Sequence, residues 1–182
     1  MLAPSARYYE NSVRAAKPLT DWVWQAVLQV RRWLPNRRLL VVADSSFAVI
    51  SLLARVQRLK NPMTPVVRFR LDAALYEPVP PRRPKQKGAP RKKGKRLPTL
   101  EQRLTSKKTK WHRLTIPNWY GEGKRVIEMC SDIAVWYHSG QPTVLLRWVL
   151  LRDPKGKFKS QVLRCTDPGV NPEQIVQWLI LR

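Results

Sequence analysis

The sequence is short of acid. Twelve Asp and Glu stand against 35 Lys and Arg in 182 residues, for a formal charge of +23 and a pI near 11.1. A field of that sign draws polyanions, so nucleic acid is the expected partner. Histidine and cysteine are scarcer still: His112, His138, Cys130 and Cys165, with no CxxC. A four-ligand zinc site would need all four to converge from distant positions, so two reduced thiols are expected instead. Long apolar runs are missing too. Val144 to Leu151 is interrupted by Arg147 and falls far short of the ~20 residues that cross a bilayer. No stretch sets Lys and Arg against an unbroken apolar stripe. The opening Met-Leu-Ala-Pro-Ser-Ala-Arg-Tyr-Tyr-Glu lacks a basic region leading into an apolar segment with a cleavage signal. These absences argue against membrane binding and secretion, and the expected location is the cytoplasm.

Enough apolar residues remain for one compact core plus an insertion. Val23, Ala26, Val27, Val30 and Leu34 follow the 3.6-residue period, which predicts an amphipathic helix capped by Thr20 or Asp21 and stopped by Pro35. Leu39-Leu-Val-Val-Ala43 is a short continuous apolar run, the pattern of a strand covered on both faces. It ends at Asp44. Val49, Ile50, Leu52, Leu53 and Val56 predict a helix over 47–59 that Ser45 or Ser46 would cap. Asn61-Pro62 turns the chain, and Pro65 to Leu71 reads as a second strand. Residues 39–71 therefore read as a β-α-β unit, parallel and right-handed by strong precedent.

Composition changes at Pro78. From there to Pro98 prolines recur, and Arg82, Arg83, Lys85, Lys87, Arg91, Lys92, Lys93, Lys95 and Arg96 follow with no acid after Glu77. Such a stretch cannot build a core, so it reads as a loop or disordered arm. Its density of charge and its lack of a base-reading scaffold favour contact with phosphates over sequence readout, the alternative being a solvated linker. Beyond it, residues 111–116, 125–129, 133–137, 143–151 and 160–164 read as short strands parted by Gly, Pro and Asp turns, an antiparallel meander. Asn171-Pro172-Glu173 opens a helix with a cap, a first-position proline and an acid in its first turn. That helix has no C-terminal cap and is expected to be still running at Arg182, as if the chain were cut within an element.

Functional groups gather beyond the carboxyl ends of strands in an open α/β sheet. Asp44 sits at such an end, where a carboxylate can hold Mg²⁺ through oxygen. Position alone leaves open whether it does so or merely caps the following helix. Asp72, Asp153 and Asp167 fall at strand ends or turns, where Asp bonds local backbone, and Glu173 suits a helix macrodipole. Trp22, Trp33, Trp136, Trp148 and Trp178 fall in helix or strand patterns and read as core, which leaves Trp111 and Trp119 as candidates to stack on bases.

The segment Leu39-Leu-Val-Val-Ala-Asp44-Ser-Ser-Phe47, then Val67-Arg-Phe-Arg-Leu-Asp-Ala-Ala-Leu-Tyr76 and Gly88-Ala-Pro-Arg-Lys-Lys-Gly-Lys-Arg-Leu-Pro98, resembles the DDE endonuclease domain of a group of bacterial insertion-sequence transposases. The resemblance continues through Trp119-Tyr-Gly121, Ala134-Val-Trp-Tyr-His138, Arg147-Trp-Val-Leu-Leu-Arg-Asp-Pro154 and Cys165-Thr-Asp167, nearly the whole chain in order. It implies an RNase H-like, retroviral-integrase-like core whose three acids bind two metals, Mg²⁺ or Mn²⁺. There water and then a DNA 3′-hydroxyl attack phosphodiester bonds. The family's first acid lies on a strand upstream of the first helix here, its second after the Val-Val-Ala strand, and its third on a helix beyond a β-rich insertion. Asp44 matches the second. Glu10 lacks a strand setting, and the Glu is expected just past Arg182.

The resulting expectation is an α/β protein: a partial RNase H-like core over 1–77, a basic Pro-rich arm over 78–110, an antiparallel β-rich insertion over 111–168, and the start of a core helix over 169–182. Its function would be that of a DNA-binding transposase fragment at transposon ends, nucleoid-associated, inactive in cleavage alone and able to join full-length transposase in an oligomer. A non-catalytic nucleic-acid-binding regulator is the second reading. A metal-independent RNA- or ribosome-associated protein is the third.

Overall fold

The computed structural model describes residues 18–82 and 87–181. The chain divides into two compact units, 1–38 and 39–182. The first contains helix α1, Leu19–Trp33. Its start is one turn earlier than expected: Pro18 occupies the cap position without a side-chain bond, and Thr20 and Asp21 lie inside the first turn. Pro18 presets an extended φ and places Asp21 near the positive end of the helix, which does the work of a cap. At the other end the Arg31 guanidinium donates to the carbonyls of Leu34, Pro35 and Arg37. Trp33, assigned to core by its pattern, is 69% exposed.

The second unit is a sheet with helices on both faces. Its strands are β1 (Leu40–Ala43), β2 (Thr64–Phe69), β3 (Leu75–Tyr76), β4 (His112–Ile116), β5 (Arg125–Trp136), β6 (Val144–Arg152) and β7 (Gln161–Cys165). Their order is β1-β2-β7-β6-β5-β3, with β4 also paired to β5. The expected β-α-β unit forms: β1 and β2 are parallel, with Ala43 opposite Val67. Between them lie a 3-10 turn, Ser45–Phe47, and helix α2, Ile50–Gln57. The expected single helix over 47–59 is thus split at Ala48 and Val49.

The β-rich segment is not a separate layer. β7 pairs antiparallel with β2, Val66 opposite Cys165 and Phe69 opposite Val162, so the meander extends the same sheet. Two of its expected strands, 125–129 and 133–137, are one twelve-residue strand, β5. Ser131 and Asp132 look like a turn in sequence but pair in register with Val149 and Trp148 of β6, and Ser131 Oγ donates to the Trp148 carbonyl at 2.7 Å.

Side-chain alternation makes two cores. On one face Val66, Val149, Leu151, Leu163 and Cys165 pack under Ile175, Val176 and Leu179 of helix α4, Pro172–Ile180. On the other, Phe69, Leu146, Trp148, Leu150 and Val162 meet Leu100 of helix α3, Leu100–Thr105, while Ile50, Leu53 and Ala54 of α2 close over Val144. Each fully buried Leu or Val contributes roughly 1.5–3 kcal/mol of transfer free energy. α4 opens as expected, with Asn171 Oδ1 accepting from the Glu173 amide at 2.9 Å and Pro172 in its first turn. α3 was unanticipated, although Thr99 and Gln102 form a complete capping box. Cys130 and Cys165 are both buried. Among the described residues no helix is long and apolar enough to cross a membrane.

Candidate metal-ligand position and basic surface

β1 ends at Ala43, and the chain turns at once because Asp44 Oδ1 accepts the Ser46 amide at 2.9 Å. Asp44 is half-buried at the carboxyl end of a parallel strand pair. One oxygen of Asp44 thus caps the short turn Ser45–Phe47, whereas α2 starts after Val49 with no side-chain cap, neither from Asp44 nor from Ser45 or Ser46. A two-metal centre needs several hard oxygen donors around one space. Among the described residues no three His, Cys, Asp or Glu side chains come together in a way that could hold a metal ion. Glu10 lies outside the described residues. Among the described residues, the donor set around Asp44 does not fit a two-metal site.

Asp72, Asp153, Asp167 and Glu128 each have a partner of their own. Asp72 binds the Arg70 guanidinium at 2.6 Å, and that partner holds its carboxyl below the usual range. Asp153 accepts the amides of Lys155 and Lys157, and Asp167 that of Gly169. Glu128, 8% exposed, receives Arg152 at 2.8 Å and Arg113 at 3.3 Å. Hydrogen bonding from Arg152 is the main reason its carboxyl titrates low, with burial opposing.

The basic arm is closed at its base. The Glu77 amide donates to the Lys95 carbonyl, Gly94 N–H to the Glu77 carbonyl, and Leu97 N–H to the Leu75 carbonyl, each at 2.9 Å. Lys93 does not reach outward like its neighbours: its ammonium lies 3.9 Å from the Tyr76 ring centre and 4.2 Å from that of Tyr137. Arg82 donates across the loop to the Gly88 carbonyl at 2.8 Å. Lys87, Arg91, Lys92, Lys95 and Arg96 are exposed, and Arg83 and Lys85 lie outside the described residues.

Of the two aromatics proposed for base stacking, Trp119 is buried and Trp111 is half-buried beneath a guanidinium. Trp119 is 4% exposed and stacked on Phe158 at 5.1 Å, and the Arg152 guanidinium covers the Trp111 ring at 4.0 Å. The geometry instead adds cations that the sequence reading passed over, Arg103, Lys108 and Lys110, around a recess between α3 and β5. The run Thr105-Ser-Lys-Lys-Thr-Lys110 directly after a capping-box signature was the available signal.

A search of curated proteins finds no match to this chain. A sequence model described as DDE superfamily endonuclease matches residues 3–125, which takes in α1, the β1-α2-β2 unit, the basic arm, α3 and β4. With about two thirds of its length matched, and with Asp44 at the end of the matched segment's parallel strand pair, the chain belongs to the DDE superfamily endonuclease family.

Proposed function

We propose that this chain is a DNA-binding piece of a bacterial insertion-sequence transposase, whose intact parent carries out metal-dependent cleavage and strand transfer at transposon ends. The observation that carries the reading is Asp44 at the carboxyl end of β1, paired in parallel with β2, in a chain of the DDE endonuclease family. The fold is read as part of an RNase H-like core extended by the β-rich meander. Asp44 is assigned as one ligand for Mg²⁺ or Mn²⁺ in the intact parent. Arg82, Arg83, Lys85, Lys87, Arg91, Lys92, Lys95 and Arg96 are assigned to phosphate contact, with Lys93 fixing the loop that presents them. The formal charge of +23 supports this polyanion partner.

Lone carboxylates do not clamp both the attacking and leaving oxygens of a phosphodiester. Binding without cleavage is therefore assigned to the isolated chain. A second role is a regulator that competes for DNA or joins full-length transposase, for which the formal charge of +23 is the support. The test is Mg²⁺- or Mn²⁺-dependent nicking of labelled DNA carrying the element's ends, by this chain and its Asp44→Ala variant. Binding without nicking by both is expected. Nicking abolished by Asp44→Ala would show that further ligands are supplied within the 182 residues or by a second subunit, and would refute the assignment.

A further inference from the structure

An open recess of about 620 Å³ lies between α3, the turn after it, and the middle of β5. Arg103, Lys108, Lys110 and His112 line it, Cys130 and Ser131 form part of its floor, and no Asp or Glu lines it. The local structure is built to hold these cations in place. Thr109 Oγ1 donates to the Arg103 carbonyl at 2.6 Å, and Ser106 Oγ accepts the Lys108 amide at 3.2 Å. Those bonds fold residues 106–109 back over the helix end and set Lys108 and Lys110 around the recess. Arg103 lies half-buried with its guanidinium 5.0 Å over the Trp148 ring, and its buried Nε has no hydrogen-bond partner among the described residues.

Of the nearby acids, Glu128 is engaged by Arg152 and Arg113, while the Asp132 carboxylate, whose Oδ1 accepts the Ile133 amide, acts on Cys130 against the cations Arg103, Lys108 and Lys110. Burial pushes the Cys130 thiol up, so the floor is uncharged at neutral pH. Arg103 lines a polar recess with an Nε that has no partner among the described residues, and two exposed lysines beside it suit a singly charged, repeating oxyanion.

We propose that this recess seats a phosphodiester group of the DNA backbone, with Arg103 at its base and Lys108 and Lys110 flanking it, as a contact separate from both Asp44 and the basic arm. It is four strand positions from β1, roughly 19 Å at the usual inter-strand spacing. The inference rests on the DNA-binding reading above and names a further surface for it. The same oxyanion chemistry is offered by free inorganic phosphate, so the two sources are separated by experiment.

Affinity for a labelled duplex is measured from 0.05 to 0.3 M salt for the full chain, a Lys108→Gln/Lys110→Gln variant and an Arg91→Gln/Lys92→Gln arm variant. Both lysines are exposed, so the first variant leaves the core intact, which matched circular dichroism checks. Two lost phosphate contacts lower the slope of log affinity against log salt by about 1.8 and weaken binding roughly 30-fold at 0.15 M salt. A recess variant that binds like the parent while the arm variant weakens would overturn this inference and leave the DNA-binding reading standing. No duplex binding by the parent chain at any salt would sink both. In parallel, the imidazole proton resonances of His112 and His138, the two histidines of the chain, are followed as inorganic phosphate is added. A saturable shift of His112 alone together with unchanged duplex affinity in the recess variant would assign the site to free phosphate instead of DNA.

Discussion

Arg164 is the most consequential side chain outside the basic surface, and replacing it with Met should make the protein more stable. It lies on β7, wholly buried, and none of Nε, Nη1 or Nη2 has a hydrogen-bond partner among the described residues. Its guanidinium is held between aromatic faces, 4.1 Å from the Trp136 ring centre and 4.6 Å from that of Phe69. Burial pushes its pKa down to about 9, equivalent to roughly 5 kcal/mol against the charged form inside. The two aromatic faces return about 1–2 kcal/mol each at a dry site. The net penalty is then about 1–3 kcal/mol, within the range seen when buried charge is replaced by apolar groups of similar volume. In urea, Arg164→Met should raise the unfolding midpoint with an unchanged slope, and Tm should rise by about 2–4 °C per kcal/mol. The pH dependence supplies an independent check. Because the folded value, about 9, lies below the unfolded one, the unfolded chain binds more protons above about pH 9, so the parent gains stability as pH rises past that value. The advantage of Arg164→Met should therefore be full below pH 9 and shrink above it, other titrations cancelling between the two proteins. A lower midpoint for Arg164→Met at pH 7 would refute the reasoning, because the stacked guanidinium would then be a net stabiliser.

Three further outcomes are expected. Glu128→Gln should lower the urea midpoint at pH 7 by removing the acceptor shared by Arg152 and Arg113. Its carboxyl titrates low when folded, so the gap to the parent, present above about pH 4.3, should close as pH falls through the folded value; a gap that persists at pH 2 would contradict this. Gly94→Ala would place a Cβ 2.8 Å from the Glu77 carbonyl oxygen and 2.9 Å from Glu77 Cβ. Limited trypsin digestion should then cut faster within 78–96, and unchanged cleavage would show that the loop base tolerates the shift. Exchanging Arg91, Lys92 and Lys95 together for Gln should reduce the salt-dependence slope of duplex binding by about 2.7, and an unchanged slope would remove those residues from the phosphate contacts.

The parts of this fold that were legible in sequence are those where one local signal decides the backbone. Leu39 to Ala43 and Pro65 to Leu71 announced β1 and β2 by apolar continuity, and Asn171-Pro172-Glu173 announced α4 by its cap. Errors arose where tertiary pairing overrode a local cue. Ser131 and Asp132 carry turn chemistry, yet β6 supplies a full ladder alongside them and the strand runs through. Nothing local to the strands told that β7 would pair with β2 and merge the insertion into the core sheet. Asp44 was legible as a strand-end carboxylate, and its bond to the Ser46 amide shows why position alone could not separate cap from ligand. Arg164 could not be read as buried, since an arginine in a strand is ordinarily on the solvent side; its neighbours Phe69 and Trp136 come from strands far away in sequence. α3 is only six residues long, so it shows no helical apolar period, and the capping box of Thr99 and Gln102 is its one local signal between flanking runs of Lys and Pro.

The clamp at the base of the basic loop has a practical side. With Glu77 bonded to both Gly94 and Lys95, and Lys93 set between Tyr76 and Tyr137, the ends of the intervening chain are fixed by groups that do not depend on its length. Lengthening a closed loop adds only about 0.6 kcal/mol per doubling. Residues between Pro80 and Pro90 can therefore be exchanged for a longer segment, such as a fluorescent-label tag or a foreign DNA-contacting peptide, while the sheet beneath keeps its register. The loop is in that sense a socket: its contents can be changed while the fold that carries it stays as it is.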